Sequence, residues 1–178
     1  PANDACADAT LLVSNNSCVN TQGTVAGATS DGFAQISCDG YSGPAMLDVW
    51  YKFQAVTAAH DILLTSSASF DGVIGLYSSC GGTEIACADN GAPGVDETIN
   101  ATGLTPGNTY YIRVYDYGVV APSTPTFDIC VTHTGAAPTP DLDVTTGTVS
   151  TSSAGPGDAI TLDYVIDNSG GTVNQDTE

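Results

Sequence analysis

The 178 residues predict an all-β chain: a disulfide-stapled sandwich followed by part of a second β domain. Three observations carry that prediction. Apolar and polar residues alternate over short segments, turn-forming dipeptides punctuate them, and no stretch keeps helical periodicity. Six cysteines, an even number with no Cys-x-x-Cys spacing and only two histidines to help hold a zinc ion, are better explained as disulfides. Hydrophobic content of 42% with a slightly positive mean hydropathy belongs to a chain that folds.

The strands follow in order. The first clear one covers residues 49–56, where Val49, Tyr51 and Phe53 alternate with Trp50, Lys52 and Gln54. Period-two geometry sends the first set to the core and the second to the opposite face. Residues 61–65 form the next, and Asp71-Gly72 turns the chain into 73–77. Gly81-Gly82 leads to 83–88, Asn90-Gly91 to 97–101, and Pro106-Gly107 to 110–117. Residues 127–132 close the series. Leu104-Thr105-Pro106-Gly107-Asn108-Thr109-Tyr110 has the form of a tyrosine corner, in which a Tyr opening a late strand bonds back to upstream backbone. Ile112 and Val114 then follow Tyr110 into the core; the alternative is an ordinary aromatic strand residue, and either role is structural. The sandwich is expected to be of jelly-roll or immunoglobulin-like type.

After residue 133 the composition shifts. Residues 134–140 carry prolines and no large apolar side chain, which makes them a semi-rigid linker between domains at 1–133 and 141–178. Beyond it, Leu142 and Val144 suggest one strand, and Ile160, Leu162, Tyr164 and Ile166, alternating with Thr161, Asp163, Val165 and Asp167, give another. Two strands do not close a sandwich core. Either a longer polypeptide supplies the rest, or a strand from another copy adds along Ile160, Leu162, Tyr164 and Ile166.

Charge narrows the function. Twenty acidic side chains against two basic ones, Lys52 and Arg113, leave a net charge of −18. Nucleic-acid binding and attraction to anionic membranes both need the Lys and Arg that are missing. No apolar run approaches the ~20 residues of a membrane span. A disulfide framework places the protein in an oxidising, extracellular space, secreted or at a cell surface.

No pattern of a catalytic centre emerges: no Gly-x-Ser-x-Gly elbow, no His-Glu-x-x-His, and a single lysine that lies inside a strand. The protein is expected not to be an enzyme. His60 and His133 read as lone surface histidines. The densest oxygen-rich loop, Asp89 and Asn90 leading to Asp96 and Glu97, is the candidate calcium site, with turn and capping duties as the competing role. Calcium is the one cofactor considered. Trp50, with Tyr111, Tyr115 and Tyr117, is the candidate ligand or packing surface, unless a loop or the N-terminal segment covers Trp50.

The stretches 3–9, 48–53, 70–80, 86–90, 107–114 and 127–131, among them Asp48-Val49-Trp50-Tyr51-Lys52-Phe53 and Gly107-Asn108-Thr109-Tyr110-Tyr111-Ile112-Arg113-Val114, resemble the bacterial pre-peptidase C-terminal type of β-sandwich over about residues 1–133. Pro140-Asp141-Leu142, residues 157–162 and residues 167–170 resemble the opening of the bacterial cell-adhesion-related family CARDB, an immunoglobulin-like fold. These resemblances imply non-catalytic modules of large secreted or surface proteins. With their help the disulfides are expected to join Cys6 to Cys130, Cys18 to Cys38, and Cys80 to Cys87 across the Gly-Gly turn. The resulting expectation is a structural or adhesive module, a candidate subunit of an extracellular fibre with strand addition between copies. The alternative is a carbohydrate-binding or accessory module of a secreted hydrolase. Its partners would be neighbouring domains of the same polypeptide, other copies of itself, or glycans.

Overall fold

The computed structural model describes residues 1–40, 47–117 and 122–135, and the backbone of two further strands, Leu142–Val149 and Leu162–Asn168. The chain divides into two compact units, Pro1–Gly135 and Ala136–Glu178.

Strands of the first unit are β1 (Thr10–Leu11), β2 (Ser14–Asn15), β3 (Thr21–Thr24), β4 (Asp48–Gln54), β5 (Ala59–Ser66), β6 (Gly72–Tyr77), β7 (Glu84–Ala88), β8 (Glu97–Thr102), β9 (Thr109–Asp116) and β10 (Thr126–His133). They form two sheets, ordered β1-β4-β9-β6-β7 and β2-β10-β5-β8, with β3 also on β10. The antiparallel pairs nest: β6 with β7, β5 with β8, β4 with β9, and β3 with β10, alternating between the two sheets. That nesting is the jelly roll, one long hairpin folded over on itself. The seven strands expected from residue 49 onward are all present. Three short N-terminal strands join them, too short to carry a readable alternation.

Between the sheets lies one apolar core, with Val49, Tyr51, Phe53, Ile62, Leu64, Ile74, Leu76, Ile112, Val114, Phe127, Ile129 and Val131 all buried. Tyr110 makes the corner expected of it: its hydroxyl accepts the Thr105 backbone N–H at 2.9 Å. Gly23 of β3 is required by close approach, because a side chain there would strike the Tyr51 hydroxyl and the Phe127 ring. The N-terminal segment changes sheets. It runs beside Tyr51 and Lys52 as β1, buries Leu12, then runs beside Val131 and Thr132 as β2.

The disulfides join Cys6 to Cys80, Cys18 to Cys130 and Cys38 to Cys87, which corrects all three expected pairings. In the β6–β7 hairpin Cys87 stands opposite Gly75, not Cys80, which lies out in the turn. Cys6 packs with Trp50 and Tyr77 on the outer face of one sheet, whereas Cys130 belongs to the other sheet. On β10 the interior is taken by Ile129 and Val131, so Cys130 faces outward. There the 16–20 connection passes between β2 and β3, which pair with successive stretches of the same strand, and brings Cys18 to it.

In the second unit β11 (Leu142–Val149) and β12 (Leu162–Asn168) pair antiparallel, with a register shift between Val144 and Thr146. Leu162, Tyr164 and Ile166 occupy alternate positions of β12; Ile160 and most of the linker lie outside the described residues.

Candidate functional site

Much of the outer face of the β4–β9–β6 sheet is covered, though Lys52 and Gln54 at one end of β4 are not buried. Alternation puts Asp48 and Trp50 of β4, Arg113 and Tyr115 of β9, and Val73 and Tyr77 of β6 on that face, where the N-terminal residues and residues 29–39 cover them. Hydrogen bonds pin the cover. Trp50 exchanges backbone and side-chain bonds with Asn3 at 2.9 Å each, the Asp4 carboxylate takes both the N–H and the hydroxyl of Thr29, and the Asp31 carboxylate takes the Cys6 N–H. The Tyr115 hydroxyl donates to Asp39 and accepts from the Ile36 N–H. Under this layer Arg113 Nε meets Asp48 Oδ2 at 2.5 Å, with 1% and 0% of the two side chains exposed. Arg113 Nη1 donates to the Ala34 carbonyl at 2.6 Å, and the Asp31 N–H donates to Asp48 Oδ1. Burial pushes the Asp48 carboxyl up, against the pull of Arg113.

A cleft of about 240 Å³ opens where the cover meets the β6–β7 turn, lined by Phe33, Gln35, Trp50, Tyr77, Gly81, Gly82 and Glu84. Phe33 stands edge-on to Trp50 at 5.3 Å between ring centres, and Tyr77 lies 5.6 Å from Trp50. The Arg113 guanidinium backs the wall, 5.7 Å from the Trp50 ring centre and 6.0 Å from that of Phe33. Gly81 is required twice over: its φ is +67°, and a Cβ there would come within 2.7 Å of the Phe33 ring. At the rim, the Glu84 carboxylate accepts the Ser37 N–H at 3.0 Å, the Ser37 hydroxyl, and the Tyr77 hydroxyl at 3.5 Å. Trp50 Nε1 is buried with no partner among the described residues. Aromatic walls with a few polar groups at the edge suit a small ligand that is partly ring and partly hydroxyl.

A second cleft, about 360 Å³, is lined by Asp71, Asp89, Asn90, Gly91 and Tyr117. Burial, then neighbouring carboxylates, raise the acids here: Asp71 by burial alone, and Asp89 with help from Asp39 and Asp71. Glu97 and Asp116 are raised by burial first, opposed by backbone hydrogen bonds and reinforced by Asp71. Asp89 Oδ1 is buried with no partner among the described residues. Substituting Asp89→Asn is expected to stabilise the unit by about 1 kcal/mol at pH 7, since it removes a partly buried charge of like sign to Asp39 and Asp71 while keeping the side chain's shape. A folded pKa raised above the unfolded 3.8 means that ionisation costs stability as pH rises through the folded value, and costs nothing below the unfolded one. Denaturant titrations should therefore show the gain vanish near pH 4; an equal gain at pH 4 and pH 7 contradicts this cause.

The sequence-predicted residues fall as follows. Trp50 and Tyr115 are 0% exposed and form no surface; Tyr111 is partly buried against the same cluster, and Tyr117 faces the acidic cleft instead. For Trp50 the alternative held open by the sequence is the one found: the N-terminal segment and residues 29–39 cover it, and the cover contributes its own aromatic, Phe33. Of the calcium candidates, Asn90 gives its N–H and side-chain amide to Glu97 at 2.8 Å each, Asp96 accepts the Ser66 N–H, and Glu97 is 1% exposed. Among the described residues no three His, Cys, Asp or Glu side chains converge as metal ligands. His60 and His133 are not surface residues; they are 1% and 8% exposed and face each other across β5 and β10. Burial, then His133, holds the His60 pKa below its usual value. Phe33, Gln35 and Glu84 escaped the sequence reading because no periodic pattern marks Phe33 or Gln35, and Glu84 opens a strand beside a Gly-Gly turn.

A family model described as galactose binding domain-like, T9SS-associated, matches residues 2–129. Among solved structures, the pre-peptidase C-terminal domain of collagenase from Bacillus anthracis is similar at 18% identity and a TM-score of 0.42, covering 69% of this chain and 93% of that one. No curated protein matches. The family match stops at residue 129, so the CARDB resemblance of residues 141–178 receives no support from it.

Proposed function

The chain belongs to the T9SS-associated, galactose binding domain-like family, and from that premise we propose that it is a non-catalytic accessory module of a secreted protein that binds carbohydrate in the Phe33–Tyr77–Glu84 cleft. Domains of this kind are typically non-catalytic, and three disulfides fit an extracellular setting. The observation that carries the reading is the cleft itself: the half-exposed Phe33 and the edge of Tyr77, backed by the buried Trp50, stand beside a carboxylate where the cover meets the β6–β7 turn. Sugar rings present apolar faces to such walls and hydroxyls to such carboxylates. Two disulfides, Cys6–Cys80 and Cys38–Cys87, tie the cover to the β6–β7 hairpin and so hold the two lips of the cleft together. Rigid lips lose little entropy on binding.

Screening the chain against a panel of immobilised glycans is expected to give retention that Phe33→Ala reduces at least ~10-fold, the equivalent of 1.4 kcal/mol. Phe33 is 36% exposed and packs edge-on against Trp50, so some loss of melting temperature accompanies the substitution, and retention is compared well below the variant's unfolding transition. Retention of no glycan, or retention indifferent to Phe33, removes the proposal.

A further inference from the structure

We infer, resting on the carbohydrate reading above, that the cleft prefers a sugar carrying a protonated amine to its neutral or acidic counterpart. The polar group at the rim is an acceptor: the Glu84 carboxylate takes the Ser37 N–H on both oxygens, the Ser37 hydroxyl, and a long contact from the Tyr77 hydroxyl. All of these donors are neutral, and among the described residues no ion pair takes the Glu84 charge, so an ammonium that replaces the long Tyr77 contact brings an opposite charge to the carboxylate, which a hydroxyl does not. The walls add to this. Phe33 and Tyr77 present aromatic rings whose faces attract cations. Arg113 opposes it only in part: it reaches the Tyr77 hydroxyl behind the rim, but its charge is matched by Asp48 at 2.5 Å in a fully buried pair and its Nη1 is held by Ala34. Gly81 and Gly82 place bare backbone at the turn, so no side chain there blocks the approach to Glu84. An acidic sugar meets the reverse: a rim carboxylate on a chain of net charge −18.

The test follows the amide signals of Gly81 and Gly82 and the Trp50 indole N–H in NMR titrations of the whole chain with galactosamine, N-acetylgalactosamine, galactose, galacturonic acid and ethanolamine. Monosaccharides with at most one charge avoid the diffuse attraction that a polycation feels for an acidic protein. Galactosamine is expected to bind about 10-fold more tightly than galactose or N-acetylgalactosamine. The preference should weaken with added salt and disappear in Glu84→Gln. Equal affinity for galactosamine and galactose overturns the inference but leaves the carbohydrate reading standing. Ethanolamine matching galactosamine overturns the sugar part of it. Failure of every sugar to bind overturns both. If Glu84→Gln does not fold, Phe33→Ala serves instead: unchanged galactosamine affinity there overturns the placement.

Discussion

Replacing Arg113 by methionine is expected to destabilise the first unit by about 3–5 kcal/mol, the usual cost of removing one partner from a buried ion pair. Arg113 and Asp48 are 1% and 0% exposed, so the substitution strands a carboxylate under the N-terminal cover. The Ala34 carbonyl loses its donor, and Trp50, Phe33 and Tyr115 lose the guanidinium they surround. The effect has a pH signature. Burial already raises the Asp48 carboxyl, and without Arg113 it rises further. The raised folded pKa makes protonation favour the native state, so the deficit of Arg113→Met should shrink as pH falls from 7 toward the unfolded carboxylate value, about 3.9. Chemical denaturation across that range measures it. Removing both charges, as Asp48→Val with Arg113→Met, should recover most of the loss, because two apolar residues leave no ion unpaired. A double variant as weak as the single one would place the cost in lost packing, not in the stranded charge.

Replacing Cys18 and Cys130 together by serine is expected to cost about 4–5 kcal/mol in the chain-entropy account, since this bridge spans 112 residues, against 74 and 49 for the others. The bridge also fastens the crossing between β2 and β3 to the outside of β10, so its loss frees two short strands that have little pairing of their own. Denaturant unfolding of the double variant against the oxidised parent gives the number. Peptide mapping without reduction checks the premise: a Cys6–Cys130 or Cys18–Cys38 peptide would refute the pairing. A loss below about 1 kcal/mol would mean that the unfolded chain is constrained by other means.

The strands from β4 onward were legible because period-two alternation is a local property, repeated over five to eight residues in each. Tyr110 was legible because a corner needs only the residues from Leu104 to Tyr110. β1 and β2 were not, since two residues cannot display an alternation. The candidate cleft was half legible. Alternation separates Trp50 from the inward side chains of β4, but only the covering layer makes that outer face a second core and supplies Phe33. His60 and His133 were misplaced for a related reason: each sits near a strand end in sequence, yet the β5–β10 register buries one against the other.

From composition and pattern alone came the all-β class and the expectations of a secreted setting and of few basic side chains to meet a polyanion. These depend on residue type and on neighbours within a few positions. Which strands pair, which cysteines meet, and whether a polar face is solvent-exposed or covered depend on segments tens of residues apart. Cys18 and Cys130 are brought together by a nested hairpin and a sheet-switching N-terminus, neither of which leaves a mark in local spacing. The net charge of −18 looks uniform along the chain. Within the first unit, folding sets apart from it a buried carboxylate paired with Arg113, a patch of raised acids beside Asp89, and a carboxylate at the rim of an aromatic cleft.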